Sequence, residues 1–412
     1  MRILLVAPVP PQTGGAGAIP VLLDAELVGL CRRHEVTLIT ALGDEEGEAE
    51  AVARLRSEVD VRVADRRRPP PGWRRRRRQL RLAATWARGR WPWRTVWFAA
   101  PEIQLLLDEI AAEREFDVVA VEDSAMSVFR YPSGVPTVFT HHEVLRPRGV
   151  DWSPGAPARW GRWALGELDW RRWRRFQRGA WRRFDRVQVF SRRDAEAIAE
   201  LAPEVAPRVR VNPFGLVLPP PADRSREEPG TVLFVGNFAH PPNRDAAIWL
   251  AREIMPAVRE RAPGAVLRIV GTAPGPEVRA LRGPGVEVVA DAPGVEPHLE
   301  AAAVVLAPVR TGGGMRMKVL QAMAAGKAVV TTSRGTEGYN GFGEEPPLLV
   351  AEDGPGIAAA TAELLGDGAR RHELGERARS FAERHHSPEA WAERLTAVYE
   401  EARAAAAEGG DG

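Results

Sequence analysis

Cysteine is nearly absent from the sequence, and long apolar runs are missing from it. Cys31 is the only cysteine, which excludes an intramolecular disulfide framework and fits a reducing compartment; we expect it to lie buried in a helix. No stretch reaches the roughly 18 uncharged apolar residues of a membrane-spanning helix. The apolar run that begins at Ile3 stops at Pro8, too soon for the core of a signal peptide. We therefore expect a cytoplasmic protein.

Lysine is almost as scarce. Lys318 and Lys327 are the only lysines among 57 basic residues, so arginine supplies nearly all positive charge, and the formal net charge is only +2. A lysine retained in such a chain is a candidate for a specific role. The remaining composition, 44% hydrophobic and 27% charged, is typical of a globular protein. A length of 412 residues suits two domains, each of roughly 200 residues.

The segment from 303 to 338 carries the most informative pattern in the chain. An apolar run leads into three glycines, Gly312 to Gly314, and an apolar-periodic stretch follows before a β-branched run begins at Ala328. This order predicts a strand, a tight loop, a helix that ends at Gly326, and a second strand. Glycines allow a ligand to approach the backbone closely, and the start of a helix attracts negative charge, so the loop is a candidate anion site.

The residue spacing divides the predicted helix into two faces. Met315, Val319 and Met323 recur every four residues and should face the core, whereas Lys318 and Gln321 are neighbours on another face. We expect Lys318 to face the anion. The alternative is that Lys318 is a solvated helix residue and that the glycines form an ordinary loop, because glycine loops before helices are common.

The same residues resemble the donor-site segment of GT-B glycosyltransferases of family GT4. The series Arg310-x-Gly312-x-Gly314-x-Arg316-x-Lys318 is similar to the Arg-x-Gly-x-Gly-x-Lys-x-Lys motif of one GT4 subgroup, with Arg316 at a position where that subgroup has lysine. Gly313 and Gln321 stand where the wider family has the two glutamates of a Glu-x7-Glu motif. The resemblance implies that those glutamates contact the transferred sugar and the ribose, so this chain departs from the family at both contacts.

The resemblance extends to the strand and loop at 231–245. Val235-Gly-Asn237 and Pro242-Asn243-Arg-Asp245 are similar to the subgroup, whereas the wider family has an arginine and a lysine here for the diphosphate. The resemblance therefore leaves the anion to Arg310, Arg316 and Lys318. Asn243 or Asp245 could cap the helix that follows. Further along the chain, Glu337 matches an acidic position of the subgroup.

The first half of the chain also alternates strands with helices. A glycine-containing loop follows the first strand, and the resemblance places its Gly14 and Gly15 near the donor diphosphate or the acceptor. An NAD site would also need an acidic residue closing the next strand, and this strand ends in Thr and Gly before Asp44, which leaves that alternative weak. The strand that ends at His141-His142 resembles the GT4 strand with the active-site histidine, and His142 matches it better. Alternatively, one histidine merely ends the strand.

Two stretches, Arg66 to Arg94 and Arg159 to Arg183, interleave arginine with tryptophan. This composition suits contact with an anionic membrane surface at the inner face of the membrane. The alternative is that the arginines are solvated or internally paired while the tryptophans pack. No nucleic-acid fold signature accompanies the stretches, so nucleic acid is not an expected partner.

The predicted fold class is α/β, in the GT-B arrangement of two doubly wound Rossmann-like domains facing across a cleft. We expect an acceptor-side domain at 1–215, a linker at 216–230, a nucleotide-sugar domain at 231–386 and a C-terminal helix at 387–405 that crosses back, with a frayed tail after it.

The resemblance implies a retaining, hexosyl-type glycosyltransferase. Its donor would be a nucleoside diphosphate sugar, it would need no metal or other cofactor, and its acceptor, lipid-linked or a small metabolite, is not identified. Rival functions are a nucleotide-sugar-binding protein without transfer activity and a membrane-associated scaffold. His142, Arg316 and Lys318 are the expected catalytic residues. The expected donor contacts are Gly14, Gly15, Asn237, Asn243, Arg310, Gly312, Gly313, Gly314, Gln321 and Glu337.

Overall fold

The computed structural model describes residues 1–13, 17–68, 72–89, 91–98, 100–142, 144, 160–292 and 294–410. The chain forms two compact units. Unit 1 comprises Met1–Asn212 together with Trp391–Gly412, and unit 2 comprises Pro213–Ala390.

Unit 1 is built on a seven-stranded parallel sheet with the order β3-β2-β1-β4-β5-β6-β7. Its strands are β1 Arg2–Val6, β2 Glu35–Leu42, β3 Asp60–Asp65, β4 Val118–Glu122, β5 Thr137–His141, β6 Arg186–Val189 and β7 Val209–Val211. Its helices are α1 Ala18–Cys31, α2 Glu48–Glu58, α3 Trp73–Ala87, α4 Trp93–Phe98, α5 Glu102–Glu113, α6 Trp160–Trp181 and α7 Arg192–Leu201. The helix α15, Pro388–Gly410, belongs to unit 1 from Trp391 onward.

The order of these strands creates a switch point between β1 and β4. The chain runs outward from β1 to β3 and then returns to β4, so that Ile3 lies between Val36 of β2 and Val118 of β4. Ile3 and Val118 are fully buried, as expected for strands covered by helices on both faces. Ligands in open parallel sheets bind at the carboxyl ends of the strands beside such a switch point.

Unit 2 repeats this plan with six parallel strands in the order β10-β9-β8-β11-β12-β13. The strands are β8 Thr231–Val235, β9 Val266–Gly271, β10 Val286–Ala290, β11 Val304–Ala307, β12 Ala328–Thr331 and β13 Leu349–Val350. The helices are α8 Pro241–Trp249, α9 Met255–Arg261, α10 Pro276–Arg279, α11 Glu296–Ala301, α12 Met317–Ala324, α13 Gly354–Gly366 and α14 Gly368–His386. The switch point lies between β8 and β11, the two strands that precede the loops singled out in the sequence.

The predicted α/β class is confirmed in both units, and three details of the prediction are wrong. The sequence pattern predicts 185–191 as the last strand of the first domain, but β7 pairs beside it as a further strand. Cys31 ends α1 as a residue of a helix, but its side chain is exposed. The tail expected to fray after 404 continues α15 to Gly410. Among the described helices, none is both long enough and apolar enough to span a bilayer.

Candidate functional site

The loop between β11 and α12 takes the shape that its glycines permit. Gly312 and Gly314 have φ angles of 89° and 77°, a left-handed conformation that strains any residue with a Cβ atom. After α12, Gly326 also takes a positive φ of 70° and donates its N–H to the carbonyl of Met323, as a glycine that terminates a helix does. The predicted strand, loop, helix and strand are therefore confirmed.

Side chains that follow β12 hold this loop in place. Four carbonyl oxygens of the loop accept hydrogen bonds of 2.6–3.1 Å from Thr331, Thr332, Arg334 and Tyr339. In the same order, the accepting carbonyls belong to Ala307, Val309, Gly312 and Arg316. Because these bonds come from the protein's own side chains, they preorganise the loop.

Lys318 lies in the first turn of α12 and points back toward β8. Its Nζ donates a hydrogen bond of 2.7 Å to Oδ1 of Asn243 and lies 4.4 Å from the ring centroid of Phe234. No carboxylate of the described chain pairs with it. Burial, together with the nearby charge of Arg316, lowers the pKa of Lys318 to about 7. A cation held in this way gains most from an anionic ligand, since such a ligand would supply the missing countercharge.

Asn243 connects Lys318 to the loop after β8. Its Nδ2 donates a hydrogen bond of 2.7 Å to the carbonyl of Asn237. The Oδ1 of Asn237 in turn accepts a hydrogen bond of 3.0 Å from the N–H of Ala239. The sequence-based proposal of Asn243 or Asp245 as a helix cap is wrong, because α8 begins earlier, at Pro241, and Asn243 lies within it. The side chain of Asn243 instead forms hydrogen bonds with Lys318 and with the preceding turn.

Arg310 is less available than the sequence suggested. Its guanidinium forms a two-pronged ion pair with Asp245 of α8, with distances of 3.0 and 2.6 Å, and lies 4.4 Å from the ring centroid of Trp249. This carboxylate offsets the charge that was expected to serve an anion. Arg310 can bind a ligand only in competition with Asp245.

The other predicted residues of this segment are Arg316, Gln321 and Glu337. Arg316 immediately precedes α12, and its Nη1 donates 2.7 Å to the carbonyl of Gly313. Gln321 is half-buried, and its side chain makes no hydrogen bond within the described part of the chain. Glu337 is also half-buried and directly follows the short helical turn Ser333–Thr336. The structure thus brings together a lysine, an arginine, an amide and a helix start, which is chemistry for an anion.

In unit 1, the two candidate histidines have different surroundings. His142 lies just past β5, and its Nε2 is 2.8 Å from Oε2 of Glu122, the last residue of β4. His141 is buried and accepts a hydrogen bond of 2.7 Å at Nδ1 from Nε1 of Trp181. Nδ1 of His142 is buried without a hydrogen-bond partner among the described residues. Gly14 and Gly15 lie outside the described residues.

Sequence reasoning missed the acidic residues behind His142. Glu26 of α1 is fully buried, and burial together with the charge of Glu122 raises its pKa well above the usual range. Tyr399 of α15 donates its hydroxyl to Glu26 over 3.3 Å. The available signal for Glu26 was its place, with Asp24, as one of two carboxylates in an otherwise apolar helix. Tyr399, 373 residues away, gave no signal.

Asp123, which follows Glu122, adds a second unusual feature at this strand end. It adopts a positive φ of 69° although it is not glycine, and its buried carboxylate accepts a hydrogen bond of 2.9 Å from Arg94. Strained backbone of this kind is common where side chains must be aimed at a ligand. Within the described residues, no three His, Cys, Asp or Glu side chains converge as metal ligands.

Part of unit 2 matches a known family. Residues 229–367 match the family described as glycosyl transferases group 1. No curated protein matches the chain in sequence. The matched segment contains the whole set of residues around Lys318, from Asn237 to Glu337.

Solved structures resemble the chain over nearly its full length. Sucrose-phosphate synthase from Thermosynechococcus elongatus has a TM-score of 0.64 at 18% identity, with 98% of this chain and 99% of that chain covered. HepE of Anabaena, solved with UDP and glucose, has a TM-score of 0.64 at 14% identity, with 97% of this chain and 100% of that chain covered. A glycosyltransferase of Rickettsia africae has a TM-score of 0.57 at 10% identity, with 97% and 98% covered. The chain has the GT-B fold.

Proposed function

We propose that this protein is a retaining, hexosyl-type glycosyltransferase of the GT4 type that uses a nucleoside diphosphate sugar as its donor. One observation carries the proposal: Lys318, at the start of α12, has no carboxylate partner among the described residues and lies beside a glycine loop whose carbonyls are already bonded. Both lie inside the segment that matches glycosyl transferases group 1. Breaking the bond between sugar and diphosphate leaves negative charge on the phosphate. Preorganised donors stabilise such charge where it develops.

In this proposal each residue near the loop has a separate task. Lys318 and Arg316 stabilise the diphosphate, Asn243 positions the lysine, and Asn237 shapes the adjoining turn. Arg310 joins them only when its pair with Asp245 opens. The carboxyl end of α12 and Glu337 provide contacts for the ribose and sugar, with Gln321 as a neutral partner where the wider family has glutamate. The cationic side chains neutralise the leaving group, so we propose that no metal is needed.

We propose that His142 acts on the sugar or the acceptor. The hydrogen bond between Nε2 and Glu122 orients the ring for that task. Gly14 and Gly15 are proposed to lie near the diphosphate or the acceptor. We further propose that the protein acts in the cytoplasm, at the inner face of the membrane, on a lipid-linked or small acceptor.

The test is slow hydrolysis of candidate donors. HepE was solved with UDP and glucose, so UDP-sugars are the first donors to try, followed by GDP-sugars, each with a thermal melting measurement. We expect one nucleotide sugar to raise the melting temperature and to release its nucleoside diphosphate at the same rate with and without EDTA. If no donor raises the melting temperature or is hydrolysed, the proposal is wrong. Once an acceptor is known, proton NMR of the product checks that the anomeric configuration is retained.

A second candidate function is nucleotide-sugar binding without transfer. It is favoured by Gly313 and Gln321, which replace both glutamates of the family motif, and by the ion pair that occupies Arg310. A raised melting temperature with no release of diphosphate, in the presence of a range of acceptors, would support this second candidate instead.

A further inference from the structure

Unit 1 contains a large groove whose lining does not include His142. The groove has a volume of about 880 Å³ and lies between α3, α4, the start of α5 and the turn after β4. That volume is within the usual range of small-molecule sites, about 300–1,000 Å³. The lining residues that matter here are Arg77, Arg81, Arg130, Trp73 and Trp97. The groove opens at the carboxyl end of β3, the sheet edge at which parallel α/β sheets bind ligands.

The charge of the groove is predominantly positive. Arg77, Arg81 and Arg130 are exposed and form no ion pair within the described residues. The remaining arginines, Arg66, Arg67 and Arg78, line the same space. Two carboxylates also line it: Asp65 is paired with Arg67 over 2.6 Å, and Glu102 lies at the start of α5. Three arginine forks thus remain for a ligand, and the arginine fork matches the oxygens of a phosphate group.

The helix that provides most of these arginines also exposes apolar side chains. On α3, Trp73 is 67% exposed and Leu80, seven residues later, is 71% exposed. Residues seven apart lie on the same side of a helix, so the two form an apolar edge beside Arg77 and Arg81. Tryptophan and arginine together on one exposed helix are typical of segments that rest at a lipid interface.

The second arginine and tryptophan stretch provides a contrast within the same unit. On α6, Trp173 and Trp181 are 5% and 0% exposed and belong to the packed interior. Arg172 of α6 donates a hydrogen bond of 2.7 Å to the carbonyl of Trp86 of α3. Its guanidinium lies 4.4 Å from the centroid of the Trp86 ring. The expectation of internal packing therefore holds for these residues of α6, whereas Trp73 of α3 is exposed.

We propose that the groove binds the phosphate-bearing headgroup of an anionic phospholipid and so seats unit 1 on a membrane surface. The headgroup phosphate contacts Arg77, Arg81 and Arg130, and Trp73 and Leu80 enter the interfacial region of the bilayer. This proposal does not require sugar transfer, since the groove residues are separate from the Lys318 loop.

The experiment is co-sedimentation with phosphatidylcholine vesicles, with and without phosphatidylglycerol. The combined variant Arg77→Gln/Arg81→Gln/Arg130→Gln removes the groove charges. Its matched control, Arg88→Gln/Arg174→Gln/Arg175→Gln, removes three exposed arginines that lie outside the groove, in the two arginine and tryptophan stretches. We expect the parent protein to bind only the anionic vesicles, the groove variant to bind about tenfold more weakly or less, and the control to change by less than about threefold.

Three results would overturn the proposal. No binding to anionic vesicles at low salt removes the membrane as a partner. An equal loss in the control variant shows that charge is spread along the stretches and that the groove is not a site. Complete competition by free glycerol phosphate at millimolar concentration assigns the groove to a soluble phosphate ligand. Thermal unfolding of each variant checks that it is folded, and donor hydrolysis without vesicles should be unchanged in the groove variant, which separates this test from that of the proposed transfer.

Discussion

The anion site of unit 2 and the groove of unit 1 use positive charge in opposite ways. Around Lys318 there are few cations, each fixed by named partners, and burial has moved the pKa of the lysine to about 7. In the groove, Arg77, Arg81 and Arg130 are exposed and form no ion pair within the described residues. Burial makes a charge responsive to a specific ligand and to pH, because water solvates a buried charge poorly. Exposure keeps the charge permanent but makes its effect sensitive to salt.

The largest expected effect is at Lys318. Lys318→Ala should lower transfer by about 2–4 kcal/mol in activation free energy, the usual loss when one preorganised donor to a developing anion is removed. The matched control is the other lysine, Lys327, which is buried against Glu227 and the carbonyl of Glu300. Lys327→Ala should lower the melting temperature while the folded fraction keeps its transfer rate. Equal turnover in the Lys318→Ala variant and the parent protein would contradict the assignment.

His142→Ala tests whether unit 1 contributes to the reaction. We expect a loss of about 1.5–3 kcal/mol in activation free energy, the scale of one hydrogen bond to a charged group, with nucleotide affinity nearly unchanged. His141→Ala is the comparison, because that side chain is bonded to Trp181 and should affect stability more than transfer. Steady-state rates and nucleotide titrations of both variants give the answer. If His141→Ala is the more damaging to transfer, the assignment of the two histidines is reversed.

The pH response should distinguish the two regions. The pKa of Lys318 is near 7 in the folded protein, so nucleoside diphosphate affinity should fall as pH rises above 7, by up to about tenfold per pH unit. Binding should also take up a proton, which calorimetry in two buffers measures. Arginine does not titrate in this range, so vesicle binding by the groove should be constant from pH 6 to 8. An affinity for the diphosphate that is constant over the same range would contradict the pKa.

The same shift affects the stability of the free protein. The pKa of Lys318 is lower in the folded than in the unfolded chain, so between about pH 7 and the unfolded value of 10.5 the unfolded chain binds more protons. The contribution of Lys318 to the free energy of unfolding therefore increases as pH rises through this window. The Lys318→Met variant lacks this titrating group, so its free energy of unfolding should lack this increase with pH. Unfolding of the two proteins at several pH values measures the difference and needs no ligand.

The smallest expected effect is at Gln321. Gln321→Glu should change nucleotide affinity several-fold without lowering the melting temperature, since the half-buried side chain makes no hydrogen bond in the described chain and lies outside the core. If the position contacts ribose hydroxyls, a carboxylate should bind them more strongly than an amide does. An unchanged dissociation constant places Gln321 outside the nucleotide site.

Local patterns were sufficient to predict most of the fold. Strands β8, β11 and β12, the loop at Gly312 and Gly314, and the end of α12 at Gly326 follow from side-chain periodicity and from the backbone freedom of glycine. The start of α15 was also predictable, because Ser387 accepts the N–H of Ala390 and Pro388 begins the helix. The missed strand β7 has only three residues, too few for a periodicity to be recognised.

The sequence by itself determined the two parallel sheets, the glycine loop and the rarity of lysine that pointed to Lys318. Only the tertiary structure decided which charges are available: Arg310 is paired with Asp245, 65 residues away, and Glu26 meets Tyr399 of the last helix. It also decided that tryptophans of α6 are buried while Trp73 of α3 is exposed. The physical reason is how far apart along the chain the interacting residues lie. Backbone conformation follows from neighbours along the chain, whereas ion pairing, burial and pKa depend on side chains that folding brings together from distant parts of it.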